Sequence, residues 1–220
     1  LFAVACFLPL RFHYPLLVIF SIASLNLAWI SWTDWTSSGR GVGQFLGHAA
    51  QFFTPMLLCF VIRLNAKQGW TKGIDGFARR CLAFTLFSHG LFAYGYTSYI
   101  WILHHQTPSQ LIKIVQIGLG TEELTTAAGF LRTMGIIDFV AAVCVLIPWT
   151  RIPALIYVAA WGLVAALARP WVYFDPADAI DSLNRWAPEF LIRTPFFLLP
   201  LLLLWIWRKG IPAPTKKPSA

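Results

Sequence analysis

The segment from Ala127 to Pro148 (AAGFLRTMGIIDFVAAVCVLIP) is long enough to cross a bilayer as a helix, and Asp138 sits at its centre. A carboxylate at that depth costs roughly 2.5–3.5 kcal/mol on insertion scales. It is kept there only with a partner, a water-filled cavity or a task. The segment therefore predicts a multi-spanning membrane protein whose polar intramembrane residues are where chemistry should be sought.

Apolar windows near the ~20 residues needed to span recur along the chain. Of the 220 residues, 58% are hydrophobic and 12% are charged, whereas a soluble domain carries about 25% charged residues. The abundant tryptophans suit membrane interfaces. The net charge of +8 is explained by lysines and arginines on the cytoplasmic side, and nucleic acid is not an expected partner. Cys6, Cys59, Cys81 and Cys144 are dispersed in apolar stretches without a CxxC, so they read as small buried hydrophobes. Residues 1–10 (LFAVACFLPL) are too few to span and lack a basic n-region. They read as the end of a helix that starts before Leu1.

The predicted fold is all-α, a polytopic transmembrane helical bundle of about six full spans plus a partial N-terminal one. The spans fall at about 14–33, 45–64, 80–103, 127–148, 153–169 and 190–207. In the fifth, Arg169 snorkels and Pro170-Trp171 marks the end. Loop 63–80 holds Arg63, Lys67, Lys72, Arg79 and Arg80; the turn at Arg151 and the tail with Arg208, Lys209, Lys216 and Lys217 fall on the same side. The alternate loops carry Asp34, Glu122, Glu123, Asp175, Asp178, Asp181 and Glu189. The positive-inside rule then places loop 63–80 and the C-terminus in the cytoplasm; a bacterial cytoplasmic (inner) membrane is the expected location. Residues 1–64 form N-terminal transmembrane helices, 79–207 a second helical unit, and 208–220 a basic cytoplasmic tail expected to be disordered. Segment 109–118 (SQLIKIVQIG) reads equally as an interfacial helix or as a loop packed on the bundle.

His89 and Asp138 are the central candidates. His89 is roughly 13 Å from the cytoplasmic end of its span, and Asp138 roughly 15 Å from that of its own. Matched depth predicts a His89–Asp138 contact, either a structural clamp or a proton-accepting or ligand-binding pair. Gly135, Asp138 and Ala142 share one helix face, and Gly162 and Ala166 form a small-xxx-small pair, so both stripes allow close helix approach. Tyr94 and Tyr96 flank the site, and their hydroxyls need partners. Arg132, Arg169 and Arg193 are expected at the outer interface, paired with nearby acids or lipid phosphates, or converging on an anion-binding vestibule. His48, His104 and His105 lie at a similar outer depth, where two histidines suffice in principle to ligate a haem iron. No CxxCH, HExxH, P-loop or GxSxG motif is present. Gly118-Leu-Gly120 is too little for a phosphate loop.

From about Arg79 to Trp207 the chain resembles the DoxX-like family of small four-helix membrane proteins. The resemblance rests on His89-Gly90, Gly135-Ile-Ile-Asp138, Ala166-Leu-Ala-Arg169-Pro170 and the stretch from Pro195 to Trp205. It covers somewhat over half the chain. The family often has Glu where this chain has Asp138. Some members look like membrane subunits of thiosulfate:quinone or terminal quinol oxidoreductase systems, and no cofactor-ligating motif comes with the likeness.

Three functions are weighed. The first is an accessory or structural subunit of a larger redox or energy-transducing membrane complex, without activity alone, holding lipid or quinone. The second is a quinone-linked oxidoreductase component of thiosulfate:quinone type that uses His89 and Asp138. The third is a small proton-coupled transporter. Membrane lipids and other membrane subunits are the expected partners.

Overall fold

The computed structural model describes the backbone of residues 10–36, 48–64, 72–96 and 110–208 and the side chains of 15–30, 48–57, 72–94 and 111–208. His104, His105, the Tyr96 side chain, the first nine residues and the tail beyond Arg208 lie outside the described residues. Every regular element among the described residues is helical. The helices are α1 (Leu10–Thr36), α2 (Ala49–Leu64), α3 (Lys72–Tyr96), α4 (Gln110–Leu119), α5 (Leu124–Leu146), α6 (Arg151–Tyr173), α7 (Ala179–Arg193) and α8 (Pro195–Arg208), with a 3-10 turn at Pro176–Asp178.

Three stretches are long and apolar enough to cross a membrane: Leu124–Leu146, Arg151–Tyr173 and the composite run Pro176–Arg208. They mark a helical membrane protein. A shorter apolar run, Pro15–Ile30, lies in α1. The element bounds differ from the expected spans for physical reasons. The expected loop 63–80 is helical from Lys72 onward, because Asp75 is buried within the first turn of α3 and bonded there. The fifth span runs past Pro170 to Tyr173; a proline near a helix end forfeits one backbone bond without stopping the helix, and membrane helices tolerate this. The sixth is divided at Thr194. Pro195 has no N–H for the Leu191 carbonyl, and that carbonyl instead accepts from Thr194 N at 3.2 Å and Thr194 Oγ1 at 2.8 Å. Pro195 then opens α8, as proline suits a first helical position.

The segment expected as interfacial helix or loop is α4, with Ile112 and Ile114 buried and Ile112 packed on Ala127 and Leu131 of α5. Gly120 ends it at φ 64°, a left-handed C-terminal cap that lets Thr121 N donate to Gln116 O at 2.9 Å. Glu123 then precedes α5. Thr125 and Thr126 donate to its carboxylate at 2.5 and 2.6 Å and hold its pKa below the usual carboxylate value. An anion is favourable at this helix end.

The core joins α3, α5, α6 and α8 through Leu82, Leu86, Val145, Leu155, Leu199 and Leu203. Two glycine contacts set its geometry. A Cβ on Gly90 would lie 2.9 Å from Gly135 O, and one on Gly135 would lie 3.0 Å from Gly90 O, so α3 and α5 cross backbone to backbone. A Cβ on Gly162 would lie 2.7 Å from Phe196 O, so α6 and α8 do the same. The stripe Gly135, Asp138, Ala142 and the pair Gly162, Ala166 are all buried.

These contacts predict a contrast between two alanine substitutions. Gly162→Ala forces a methyl onto a backbone carbonyl and should destabilise by about 1–3 kcal/mol. Gly129→Ala meets nothing within 4 Å and should be neutral or stabilise by up to about 1 kcal/mol. Thermal unfolding in detergent reads both; equal melting temperatures would contradict the α6–α8 contact.

Candidate functional site

The polar residues of the bundle form three clusters. The first surrounds Asp138, which is 2% exposed. The Tyr157 hydroxyl donates to Asp138 Oδ1 at 2.8 Å, and the Trp161 indole lies near this carboxylate. Tyr157 and Trp161 are four residues apart on α6, hence one above the other on a single face. His89 and Asp138 were expected to meet directly or through one water; no direct hydrogen bond joins them among the described residues. His89 instead meets the Phe196 ring of α8 edge-on, with centroids 4.9 Å apart. Depth was one coordinate of that expectation, and helix rotation is the other. Gly90 points at α5, and each residue turns the helix by about 100°, so its neighbour His89 faces α8.

The second cluster joins α2, α3, α6 and α7. Arg169 donates to Glu189 Oε2 at 2.9 Å, and Arg193 also pairs with that oxygen and donates to the Glu189 carbonyl at 3.0 Å. His48 pairs through Nδ1 with Gln51, which is buried, and lies within electrostatic reach of both Arg193 and Glu189. His89 lies within electrostatic reach of His48 and Arg193. The start of α2 is tied down here, since Ala50 N donates to Thr85 Oγ1 at 2.8 Å and that hydroxyl donates to Cys81 O at 3.1 Å. Two guanidinium groups share one carboxylate, so the cluster keeps an excess positive charge beside two imidazoles. Such a set can receive an oxyanion or the carbonyl oxygen of a head group.

The outer arginines therefore divide. Arg169 and Arg193 meet at Glu189, whereas Arg132 is exposed and stands over the half-exposed Tyr94 ring, 6.0 Å from its centroid. Of the three histidines considered for haem, His48 is described and falls in this second cluster. No group of three or more His, Cys, Asp or Glu side chains suited to a metal ion is found among the described residues.

The third cluster closes the opposite end. Asp75, 2% exposed, accepts from Arg79 Nε at 2.9 Å and from Trp207 Nε1 at 2.8 Å. Arg79 also donates to Leu146 O at 3.2 Å, and the Arg151 guanidinium lies 3.4 Å from the centroid of the Trp207 ring. The ends of α3, α5, α6 and α8 are thus tied together. Sequence reasoning had placed Asp75 in a loop and missed its role. The i,i+4 spacing of Asp75 and Arg79, like that of Glu189 and Arg193, is a legible signal; the distant partner Trp207 left none.

No family model, no curated protein and no solved structure matches the chain.

The geometry around Asp138 gives a prediction for a double-mutant cycle. Tyr157→Phe should cost about 0.6–2 kcal/mol, the range for interhelical hydrogen bonds in membranes. Tyr157→Phe and Asp138→Asn should be non-additive, while His89→Ala and Asp138→Asn should add within about 0.5 kcal/mol. Coupling between His89 and Asp138 in detergent unfolding would restore the contact that the structure lacks.

Proposed function

We infer that this chain is a non-catalytic subunit of a larger membrane assembly, with the cluster at Glu189 holding the head group of a quinone or lipid. In this reading it is a six-span bundle in a bacterial cytoplasmic membrane, with its C-terminus inside. The clustered Lys and Arg at the Trp207 end support that orientation. The observation that carries the function is the sharing of Glu189 by Arg169 and Arg193, beside His48 and His89. One positive charge is left over in a partly desolvated site, within electrostatic reach of His48 and His89. Asp138 supports an accessory role over proton-coupled transport, because the Tyr157 phenol already engages it. The resemblance to DoxX-like proteins points the same way, toward a membrane component of a quinone-linked system.

A second reading, a quinone-linked oxidoreductase component, is favoured by the same two histidines. An imidazole beside a quinone carbonyl is placed to exchange a proton with it. In that case His89 and His48, rather than His89 and Asp138, are the working pair.

Purification from native membranes in mild detergent, followed by mass spectrometry of proteins and extracted lipids and quinones, tests the proposal. Partner subunits should co-migrate, and a quinone or lipid should be retained in near-stoichiometric amount. Arg193→Gln should lower retention about ten- to a hundredfold, since a charge-assisted bond contributes about 1.5–3 kcal/mol. Arg132→Gln, outside the cluster, should leave retention unchanged. A chain that migrates alone and carries neither class of molecule would sink the proposal. Catalysed quinone reduction by the purified chain would favour the second reading.

A further inference from the structure

The cations at the Asp75 end fall into two sets. Arg79 and Arg151 are turned inward, one onto Asp75 and both toward the Trp207 ring. Lys72, Arg80 and Arg208 are exposed, and none has an ion pair among the described residues. Asp75 is the one carboxylate described at this end, and its two oxygens are already used. Five cations therefore face one neutralised acid, and the outer three are left for a ligand outside the chain.

A stripe on α3 continues from this charge into the bundle. Arg80, Phe84, Phe87 and Leu91 follow helical spacing along one face. Phe84, Phe87 and Leu91 are 51%, 46% and 44% exposed. The Phe87 ring lies against Phe139 of α5, with centroids 5.3 Å apart, and Val140 and Val143 of α5 are exposed nearby in sequence. The adjoining turn between α5 and α6 presents Trp149, 90% exposed. An indole at that level suits the polar–apolar boundary of a membrane.

We propose that this end of the bundle is a binding site for an anionic phospholipid: the head group sits on Arg80, Lys72 and Arg208, and an acyl chain runs along Phe84, Phe87 and Leu91. Charge complementarity selects the anionic head group, and the apolar stripe directly below Arg80 selects a lipid over a free anion. The inner set, Arg79 and Arg151, holds the four helix ends in place and leaves the outer set to face the bilayer. The site lies at the opposite end from Glu189, so the proposal stands whether or not that cluster binds a head group.

Native mass spectrometry of the full chain in detergent, titrated with phosphatidylglycerol or phosphatidylcholine, tests it. Phosphatidylglycerol should be retained in preference to phosphatidylcholine. Each of Lys72→Gln, Arg80→Gln and Arg208→Gln should weaken that preference about fivefold, the effect of one cation near an anionic surface, and the triple variant should abolish it. If the triple variant fails to fold, Arg80→Gln alone decides. Arg132→Gln, remote from this end, should change nothing. Equal retention of the two lipids by the unaltered chain, or a preference that survives in the variants, would overturn the proposal. So would displacement of bound phosphatidylglycerol by millimolar inorganic phosphate, which would reveal a simple phosphate site.

Discussion

The passage of α3 over α5 at Gly90 and Gly135 is the contact on which the bundle depends. Lipid tails are as apolar as leucine, so helices gain nothing by hiding apolar surface from one another in a bilayer. What remains is close packing and internal polar bonding. With a carbonyl oxygen 2.9–3.0 Å from where each Cβ would sit, the two backbones run near enough for Leu82, Leu86 and Val145 to pack in one core with Leu155 and Leu199. The Gly162–Phe196 contact repeats the device between α6 and α8. Between them, these two crossings decide which way each neighbouring residue points.

Polar residues then act at three levels along the bundle. At one end, the Asp75 carboxylate and the Trp207 indole fasten α3 to α8, with Arg79 and Arg151 stacked around them. In the middle, Asp138 fastens α5 to α6. At the other end, Glu189 gathers Arg169 and Arg193 near His48 and His89. At the first two levels each carboxylate meets a hydrogen-bond donor from a second helix. The third carries two guanidinium groups on one carboxylate, which leaves an inward-facing positive charge there for a ligand. A buried ion pair contributes little net stability but is costly to break, so the Asp75 cluster serves chiefly to fix the arrangement of the helix ends.

Much of this was legible in the chain. The apolar windows at 127–148 and 153–169 appear as α5 and α6, and the small-residue stripes on them face inward. Arg132, Arg169 and Arg193 were expected to pair with nearby acids or lipid phosphates or to converge; Arg169 and Arg193 meet at Glu189, and Arg132 stands apart over Tyr94. The resemblance to a four-helix family, by contrast, rests on short motifs that no comparison matched. The elements that departed from expectation did so through non-local bonds. The charged start of α3 looked like a loop until Trp207 was brought to Asp75, and the last span looked continuous until Pro195 withheld its N–H from Leu191.

Hydropathy and helical spacing, properties of neighbouring residues, determined from the sequence alone that this is a helical membrane protein with a carboxylate at mid-depth and basic residues concentrated at one end. Depth along a helix follows from counting residues at a fixed rise. Rotation about the helix axis does not, because it is set by whichever helices pack on each face. The tertiary structure therefore decided the partners: Asp138 with Tyr157 and Trp161, His89 with Phe196 and the Glu189 cluster, Asp75 with Trp207. The glycine crossings turn Gly90 and Gly135 toward each other, and a rotation of one residue from Gly90 and three from Gly135 sends His89 and Asp138 to different neighbours.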